Sequence, residues 1–320
     1  MKSPICVIPL FIEPTVCIIG IILNLICLIS FIQNRRHPLV PSLISLTIFD
    51  LLQLIFALIV LFPLALLRCT NFIAMMDHGM ERVLFLKNEV GPILLAMNTA
   101  SIWAICYISF QRHKAIIYPL RNLKSRAPRY VPLCMIALAA LIFNSYKWFV
   151  KVRLWYKVSV DDPNNTRNET YYLLYHITRP GAEEFEDAMN IASHICVFLL
   201  PLILLIFLNI RMLRQLYAGR MVISKSATKR DRRTAILLIA ITILFFVCNT
   251  AAPLVGILFF GQNWHKLDST SQILTEITNV IVQLKSATNP LLYFFFTSQF
   301  RDLRESKRKK LDATHSNSFV

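Results

Sequence analysis

Asp50 stands inside an apolar stretch, with Leu46-Thr47-Ile48-Phe49 before it and Leu51-Leu52 after it, so its carboxylate has no route to water along its own segment. Lys285 occupies a similar place near the end of the chain, four residues before Asn289. Asn24, Asn98, Ser101, Ser286 and Asn289 punctuate the surrounding apolar runs at comparable depth. A charged or strongly polar group inside a membrane-length apolar run is costly, which makes each one a candidate functional site. The chemistry open to such a set is the trapping of charge and the exchange of hydrogen bonds between helices. Bond-making chemistry is not indicated: no nucleophile beside a base, no metal-ligand spacing and no phosphate-cradling glycine loop is visible. No enzyme activity, metal or cofactor is therefore expected. Asn24, Ser101 and Asn289 also fit a plainer role as hydrogen-bonded glue between helices, and that reading stays open beside a switching role.

The elements that must carry these residues follow from hydropathy. The 320 residues are 56% hydrophobic and 16% charged, with a mean hydropathy of +0.55, too apolar for one ordinary water-soluble domain. A spanning helix needs about 20 mainly apolar residues. Runs of that length recur near 10–32, 42–67, 92–117, 130–150, 188–210, 234–260 and 273–296. The expected fold is an all-α membrane protein, a seven-helix bundle over 1–298 with a cytoplasmic amphipathic helix and tail over 299–320. Strand-sized alternation is missing from the spans, which argues against a lipid-facing barrel. No internal repeat is evident, which weakens transporter folds built from duplicated halves. No cleavable leader is seen, so the first helix is expected to act as its own anchor.

Basic residues orient the bundle. Segments 33–37, 112–129, 211–233 and 301–310 hold 22 of the 34 Lys and Arg, and all four fall on the same side. Positive loops stay in the cytoplasm, so the expected arrangement is a multi-pass plasma-membrane protein with its N-terminus outside and C-terminus inside. The formal charge of +16 then reflects anionic membrane lipid and partners, not nucleic acid. The glycosylation signals at Asn164 and Asn168 fall in a loop that the charge count independently puts outside. Six of the eight cysteines lie in apolar runs; Cys6 and Cys69 alone can reach the oxidising side, where a bridge between them is one option. Pro63, Pro201, Pro253 and Pro290 fall within spans, where each removes a backbone hydrogen bond and bends the helix.

Asn289-Pro290-Leu291-Leu292-Tyr293 followed by Phe300-Arg301 resembles the seventh-helix signature and membrane-surface helix of the rhodopsin-like G-protein-coupled receptors, and the resemblance covers essentially the whole chain. Asp50, Asn24, Pro201 and Ser101 match that family's second-helix aspartate, first-helix asparagine, fifth-helix proline and third-helix polar residue. Within the family, Ser101-Ile102-Trp103, Pro201-Leu202 through Leu208-Asn209, and Phe246-Val247-Cys248-Asn249-Thr250 are similar to invertebrate FMRFamide-type peptide receptors and related chemosensory receptors. The resemblance implies an extracellular ligand, probed as a neuropeptide or a small molecule, and a heterotrimeric G protein as cytoplasmic partner, with arrestin to follow. A membrane transporter is the more distant alternative.

Three departures from the family pattern stand out. Gln111-Arg112-His113 replaces the acidic-Arg-Tyr triplet, so Arg112 lacks a neighbouring carboxylate; Asp231, the one acid in the basic third cytoplasmic loop, is its expected partner, with a solvated loop charge as the alternative. Lys285 falls on the face of its helix expected to look toward Asp50, where its ammonium would replace the sodium ion the family holds against its aspartate; the rival reading points it along a ligand cavity. The family's disulfide from the top of the third helix is missing, since the matching position is near Lys87 and residues 151–190 hold no cysteine.

Ligand contacts are expected from Glu276, Asn98, Gln283, Glu184 and Asp187, whose outer acids would attract a cationic ligand. The resemblance assigns the activation switch to Arg112, Asp231, Pro253 and Tyr293. Beyond the bundle, Phe296, Phe300, Leu303 and Leu311 fit one face of an interfacial helix. Thr314, Ser316 and Ser318 are phosphate acceptors, and Ser318-Phe319-Val320 resembles a ligand for a PDZ protein.

Overall fold

The computed structural model describes residues 6–33, 40–70, 79–117, 130–160, 169–179, 181–217, 236, 239–251, 254–255 and 269–296. Its helices are α1 (Ile8–Gln33), α2 (Val40–Cys69), α3 (Gly79–Ile117), α4 (Val131–Val150), α5 (Glu183–Gln215), α6 (Ile239–Ala251) and α7 (Ser269–Phe296). Helices α1 to α5 are long and apolar enough to cross a bilayer by length and composition. Among the described residues α6 is shorter, and it lies within the sixth apolar run. Helix α7 has 28 residues, ample for a crossing, and its lower hydropathy comes from the polar groups it turns inward.

Polarity is arranged inside out. Along α7 the exposed large apolar residues are Ile277, Leu284 and Leu291, seven residues apart and so on one helix face, while Glu276, Gln283, Lys285, Ser286 and Asn289 are buried. On α1, Ile18, Ile22, Ile26 and Ile29 are exposed while Asn24 is completely buried. Water would oppose this arrangement, whereas a hydrocarbon solvent favours it. Helix α3 runs for 39 residues, about 58 Å at the usual helical rise. It starts well before the apolar run at 92–117, because Gly79 to Gly91 keeps helical backbone beyond the apolar stretch.

Helix α2 packs on α1, α3 and α7, α1 on α7, and α3 on α4 and α5. The α1–α7 contact depends on small residues: a Cβ at Gly20 would lie 2.7 Å from the Ala287 Cβ and 2.8 Å from Leu54 Cδ1. Glycine lets the two backbones approach where lipid offers no hydrophobic force to drive them together.

Helix α1 opens with a π-helical turn, Ile8–Ile12, with Pro9 at its start, where a missing N–H costs no helical bond. Just before it, Cys6 is disulfide-bonded to Cys69 at the end of α2, with the Cα atoms 5.7 Å apart. The bridge left as one option by the sequence is present.

Between α4 and α5 stands a hairpin that the hydropathy pattern does not announce. Strands β1 (Lys151–Val160) and β2 (Glu169–Thr178) pair antiparallel, from Lys151 opposite Thr178 to Val160 opposite Glu169. β1 carries Val152, Trp155, Tyr156, Val158 and Val160, and β2 carries Thr170, Tyr171, Tyr172, Tyr175 and Ile177, β-branched and aromatic residues that favour strands. The Arg179 N–H bonds Val150 O at 2.8 Å and closes the base. Gly181, at φ 81°, then turns the chain into α5 through a conformation open to glycine.

Candidate functional site

Helices α1, α2, α3 and α7 converge on Asp50, which has no solvent exposure. Ser101 on α3 donates to Asp50 Oδ1 at 2.7 Å, and Asn289 on α7 donates through Nδ2 to Oδ2 at 2.7 Å. Ser286, one turn before Asn289, places Oγ 3.0 Å from Asp50 Oδ1 and 2.9 Å from Gln53 Oε1. A hydroxyl has one proton, so Ser286 donates to the carboxylate, the stronger acceptor. The Gln53 contact is completed when its amide presents NH2 to Ser286, an orientation that chemistry rather than atom position decides. Gln53 and Gln283 meet at 3.4 Å, so the network runs up α7 from Asn289 through Ser286 to Gln283.

Asn24 joins α1 to the same site. Its Nδ2 donates to Gly20 O at 2.9 Å and to Ser286 O at 3.0 Å. Among the described residues, Asn24 Oδ1 and Asn289 Oδ1 are buried with no hydrogen-bond partner. Two acceptor oxygens of the centre are thus left unused by the described residues, and a partly satisfied buried network is costly.

Lys285 is buried at 1% exposure, and its ammonium donates to Asn98 Oδ1 at 2.7 Å. Lys285 and Asp50 are coupled electrostatically, while the oxygens of Asp50 accept hydrogen bonds from Ser101, Ser286 and Asn289. Lys285 is rotated about 100° from Ser286 around α7, which turns it toward α3. Asn98 and Ser101 are three residues apart on α3 and share a face, so one stripe of α3 holds the cation through Asn98 and the carboxylate through Ser101.

A second junction ties α3 to α5. Residues His194–Leu199 form a π-helical stretch in α5, ending with the Leu200 N–H bonded to Ile195 O. Continuing that register would assign Cys196 O to the amide of residue 201, which is Pro201 and has no N–H. The indole of Trp103 supplies the missing donor, Nε1 to Cys196 O at 3.1 Å. Farther along, Asn209 Nδ2 donates to Thr242 Oγ1 at 2.7 Å and joins α5 to α6.

Near the C-terminal end of α3, Arg112 is buried at 8% exposure, and the preceding Gln111 accepts a hydrogen bond from Ser42 on α2 at 3.0 Å. Asp231 and Pro253 lie outside the described residues, as do Asn164, Asn168 and the segment 299–320. Tyr293 lies on α7, and its side chain is outside the described set.

At the opposite end of the bundle, Glu276 binds Arg68 of α2, Oε1 to Nη1 at 2.9 Å. The pair lines a cavity of about 410 Å³ together with Pro9, Leu61, Leu64, Ala65, Lys87, Thr275 and Asn279. Glu13 on α1 is buried and couples electrostatically to Glu276, and among the described residues its Oε1 has no hydrogen-bond partner. Of the five residues expected to contact ligand, Glu276 alone lines this cavity. Asn98 and Gln283 are engaged in the central network, and Glu184 and Asp187 are exposed near the start of α5. Arg68, Glu13, Gln53 and Trp103 carry contacts that the search for mid-span charges missed. Arg68 sits at a helix end, where snorkelling is the ordinary expectation; the signal for Glu13 was a lone acid at the head of an apolar run.

The hairpin base is held without the family's disulfide. Trp148 Nε1 donates to Glu89 O at 3.1 Å, linking α4 to α3, and Lys147 Nζ donates to Asn190 Oδ1 at 2.8 Å, linking α4 to α5.

The sequence profile described as "7 transmembrane receptor (rhodopsin family)" matches residues 23–293. The chain is 26% identical to the FMRFamide receptor of Drosophila melanogaster over 257 residues, which is 74% of this chain and 43% of that receptor. It is 24% identical to galanin receptor 2a of Danio rerio over 68% of this chain and 56% of that receptor. It is 21% identical to the allatostatin-A receptor of Bombyx mori over 89% of this chain and 74% of that receptor. The alignments thus span about half the length of the first two relatives.

Proposed function

The chain belongs to the rhodopsin family of seven-transmembrane receptors, and from that premise we propose that it binds an extracellular neuropeptide and activates a heterotrimeric G protein. One observation carries this reading: a buried polar network around Asp50 spans α1, α2, α3 and α7, between an outer cavity and the inner end of α3 that holds Arg112. Ligand bound at the outer ends of α2 and α7 shifts those helices relative to α3. The network then exchanges partners, since Asn24 Oδ1 and Asn289 Oδ1 offer acceptors that the described residues leave unused. A ligand drives such a shift only through a difference in its affinity for the two arrangements.

The G protein would enter an inner crevice that opens when α6 moves from α3 and α5. The Asn209–Thr242 bond is then lost and Arg112 becomes accessible. The pairing of Arg112 with Asp231 in the resting state, the bend at Pro253 and the turning of Tyr293 belong to this reading. The plasma membrane as location and the N-terminus outside are supported by the basic inner segments and by the disulfide between Cys6 and Cys69, which favours an oxidising face. Arrestin binding to a phosphorylated tail, and a PDZ protein at Ser318-Phe319-Val320, complete the proposed partners.

The names of the relatives favour peptide over other ligand classes. The size of the outer cavity keeps a second reading, a small chemosensory ligand. A G-protein activation assay in cells, with amidated peptides in one panel and small organic ligands in another, tests both. Activation by a peptide supports the first reading. Activation by small ligands alone replaces it with the second, and substrate-dependent current or uptake without G-protein activation would remove the receptor function.

A further inference from the structure

We propose that the face of α3 between α4 and α5, below Trp103, holds one anionic phospholipid, with an acyl chain along Phe110 and the headgroup phosphate on Lys114 and Arg211. The inference rests on the orientation proposed above, which puts this end of the bundle at the inner leaflet.

Trp103 closes the groove at its deep end. Its indole bonds Cys196 O of α5 at 3.1 Å and its ring meets Phe143 of α4 at 5.9 Å, so at that depth the three helices are in contact. Phe110 follows Trp103 by seven residues and lies on the same face of α3, yet it is 49% exposed. The helices that cover Trp103 have therefore parted at the level of Phe110. Lys114, one turn further, continues that face and is exposed.

Arg211 approaches the groove from α5. Asn209 is bonded to Thr242 of α6, and two residues on, Arg211 is turned about 200° around the helix, away from α6. It couples electrostatically to His113 of α3, which adjoins Lys114. An arginine at the end of a spanning helix ordinarily extends toward water. Here the guanidinium lies 5.4 Å from the ring centroid of Phe207, one turn back toward the bilayer centre, and Phe207 is 51% exposed. The charge is thus held at a lipid-facing surface.

Charge complementarity selects the occupant. Segments 110–117, 130–135 and 211–215, the ends of α3, α4 and α5 on this side, contain no Asp or Glu. Among the described residues no acid pairs with Lys114, Arg211 or Arg214. A basic mouth above an apolar groove fits an anionic headgroup with its chain, whereas the ammonium of a zwitterionic lipid would meet like charge. Lys114 is also about 200° around α3 from the buried Arg112, so the lipid site and the crevice proposed for the G protein lie on opposite sides of that helix.

The test uses full-length receptor in detergent, titrated with phosphatidylserine or phosphatidylcholine, with bound lipid counted by native mass spectrometry. The first phosphatidylserine should bind several-fold more tightly than phosphatidylcholine. A cation near an anionic headgroup strengthens attraction about fivefold, so Arg211→Gln and Lys114→Gln should each weaken phosphatidylserine about fivefold. Phe207→Ala, which removes the ring under the guanidinium, should weaken it less. Arg35→Gln, in the first basic segment, should leave it unchanged. Soluble glycerophosphoserine, which lacks the chains, should not compete at equal concentration. Equal binding of the two lipids, an unchanged affinity in both Arg211→Gln and Lys114→Gln, an equal loss in Arg35→Gln, or displacement by glycerophosphoserine would each overturn the proposal. Lipid counting needs neither agonist nor G protein, and epitope tags on the chain ends read the orientation separately, so a wrong site is told from a wrong orientation or a failed receptor reading.

Discussion

Lys285 and Asp50 are opposite charges held apart by a single face of α3: Asn98 accepts from the Lys285 ammonium at 2.7 Å, and three residues on, Ser101 donates to Asp50 at 2.7 Å. Both side chains are fully or almost fully buried. A tethered cation at this depth makes a mobile one unnecessary, because attraction between the groups is strong in a poorly hydrated interior and is already present. Agonist affinity and thermal stability of the wild type should therefore be the same in sodium chloride and in choline chloride. Lys285→Met removes the cation and leaves the Asn98 oxygen without its donor. The expected loss is about 1–3 kcal/mol of stability, read as a lower thermal midpoint in detergent, together with a sodium-dependent recovery that the wild type lacks. A strong sodium effect on wild-type agonist binding would end this account.

Trp103 and Pro201 make a complementary pair, the indole N–H standing in for the amide proton that proline lacks. Trp103→Phe keeps an aromatic ring at the site and deletes the donor, so Cys196 O is left unsatisfied at a cost of about 1 kcal/mol. Pro201→Ala returns a backbone donor to the same carbonyl. The damage from Trp103→Phe should then be smaller in the Pro201→Ala background than in the wild type. A double-mutant cycle on thermal stability measures the difference, and strict additivity would show that the indole bond does not compensate for the proline.

Much of this was open to a reading of residues alone, for an identifiable reason. Hydrocarbon surroundings make Asp50, Asn24, Ser101 and Asn289 conspicuous in their runs, and the seven apolar segments are long enough to register without neighbours. Partner choice is another matter. Whether Lys285 reaches Asp50 or Asn98 turns on about 100° of rotation around α7 and on Ser286 and Asn289 having already filled the carboxylate. Those are facts of packing. The Arg68–Glu276 bond joins residues 208 apart in sequence, and the hairpin strands interleave Lys, Arg, Glu and His with apolar residues without a clean alternation that would mark them.

Gln111 occupies the place where an acid would hold Arg112, and it is instead engaged with Ser42 of α2. Gln111→Glu keeps an acceptor for the Ser42 hydroxyl while adding a carboxylate one residue from Arg112. Basal G-protein activation should fall by about threefold, equivalent to about 0.7 kcal/mol, a modest net effect because a carboxylate gives up water to reach the buried Arg112. Asp231→Ala should move basal activity the opposite way. Should both variants keep wild-type basal activity at equal surface expression, resting control of Arg112 by a carboxylate is excluded.

The disulfide between Cys6 and Cys69 fixes the turn that contributes Pro9 to the outer cavity, and Cys69 directly follows Arg68. It closes a loop of 63 residues, for which chain entropy in water predicts about 4 kcal/mol. The stabilisation here is smaller, since α1 and α2 stay inserted and paired when the bond is broken. Its greater effect is local. Without it the π-helical turn Ile8–Ile12 loses its tether, and Arg68 loses the fixed neighbour that aims it at Glu276. A receptor carrying both Cys6→Ser and Cys69→Ser should insert and reach the surface, yet bind agonist more weakly and melt a few degrees lower. Reducing agent should shift the wild type to the same values and leave the double variant unchanged. A wild type whose agonist affinity is indifferent to reduction would detach the bridge from ligand binding and confine it to tethering the N-terminus.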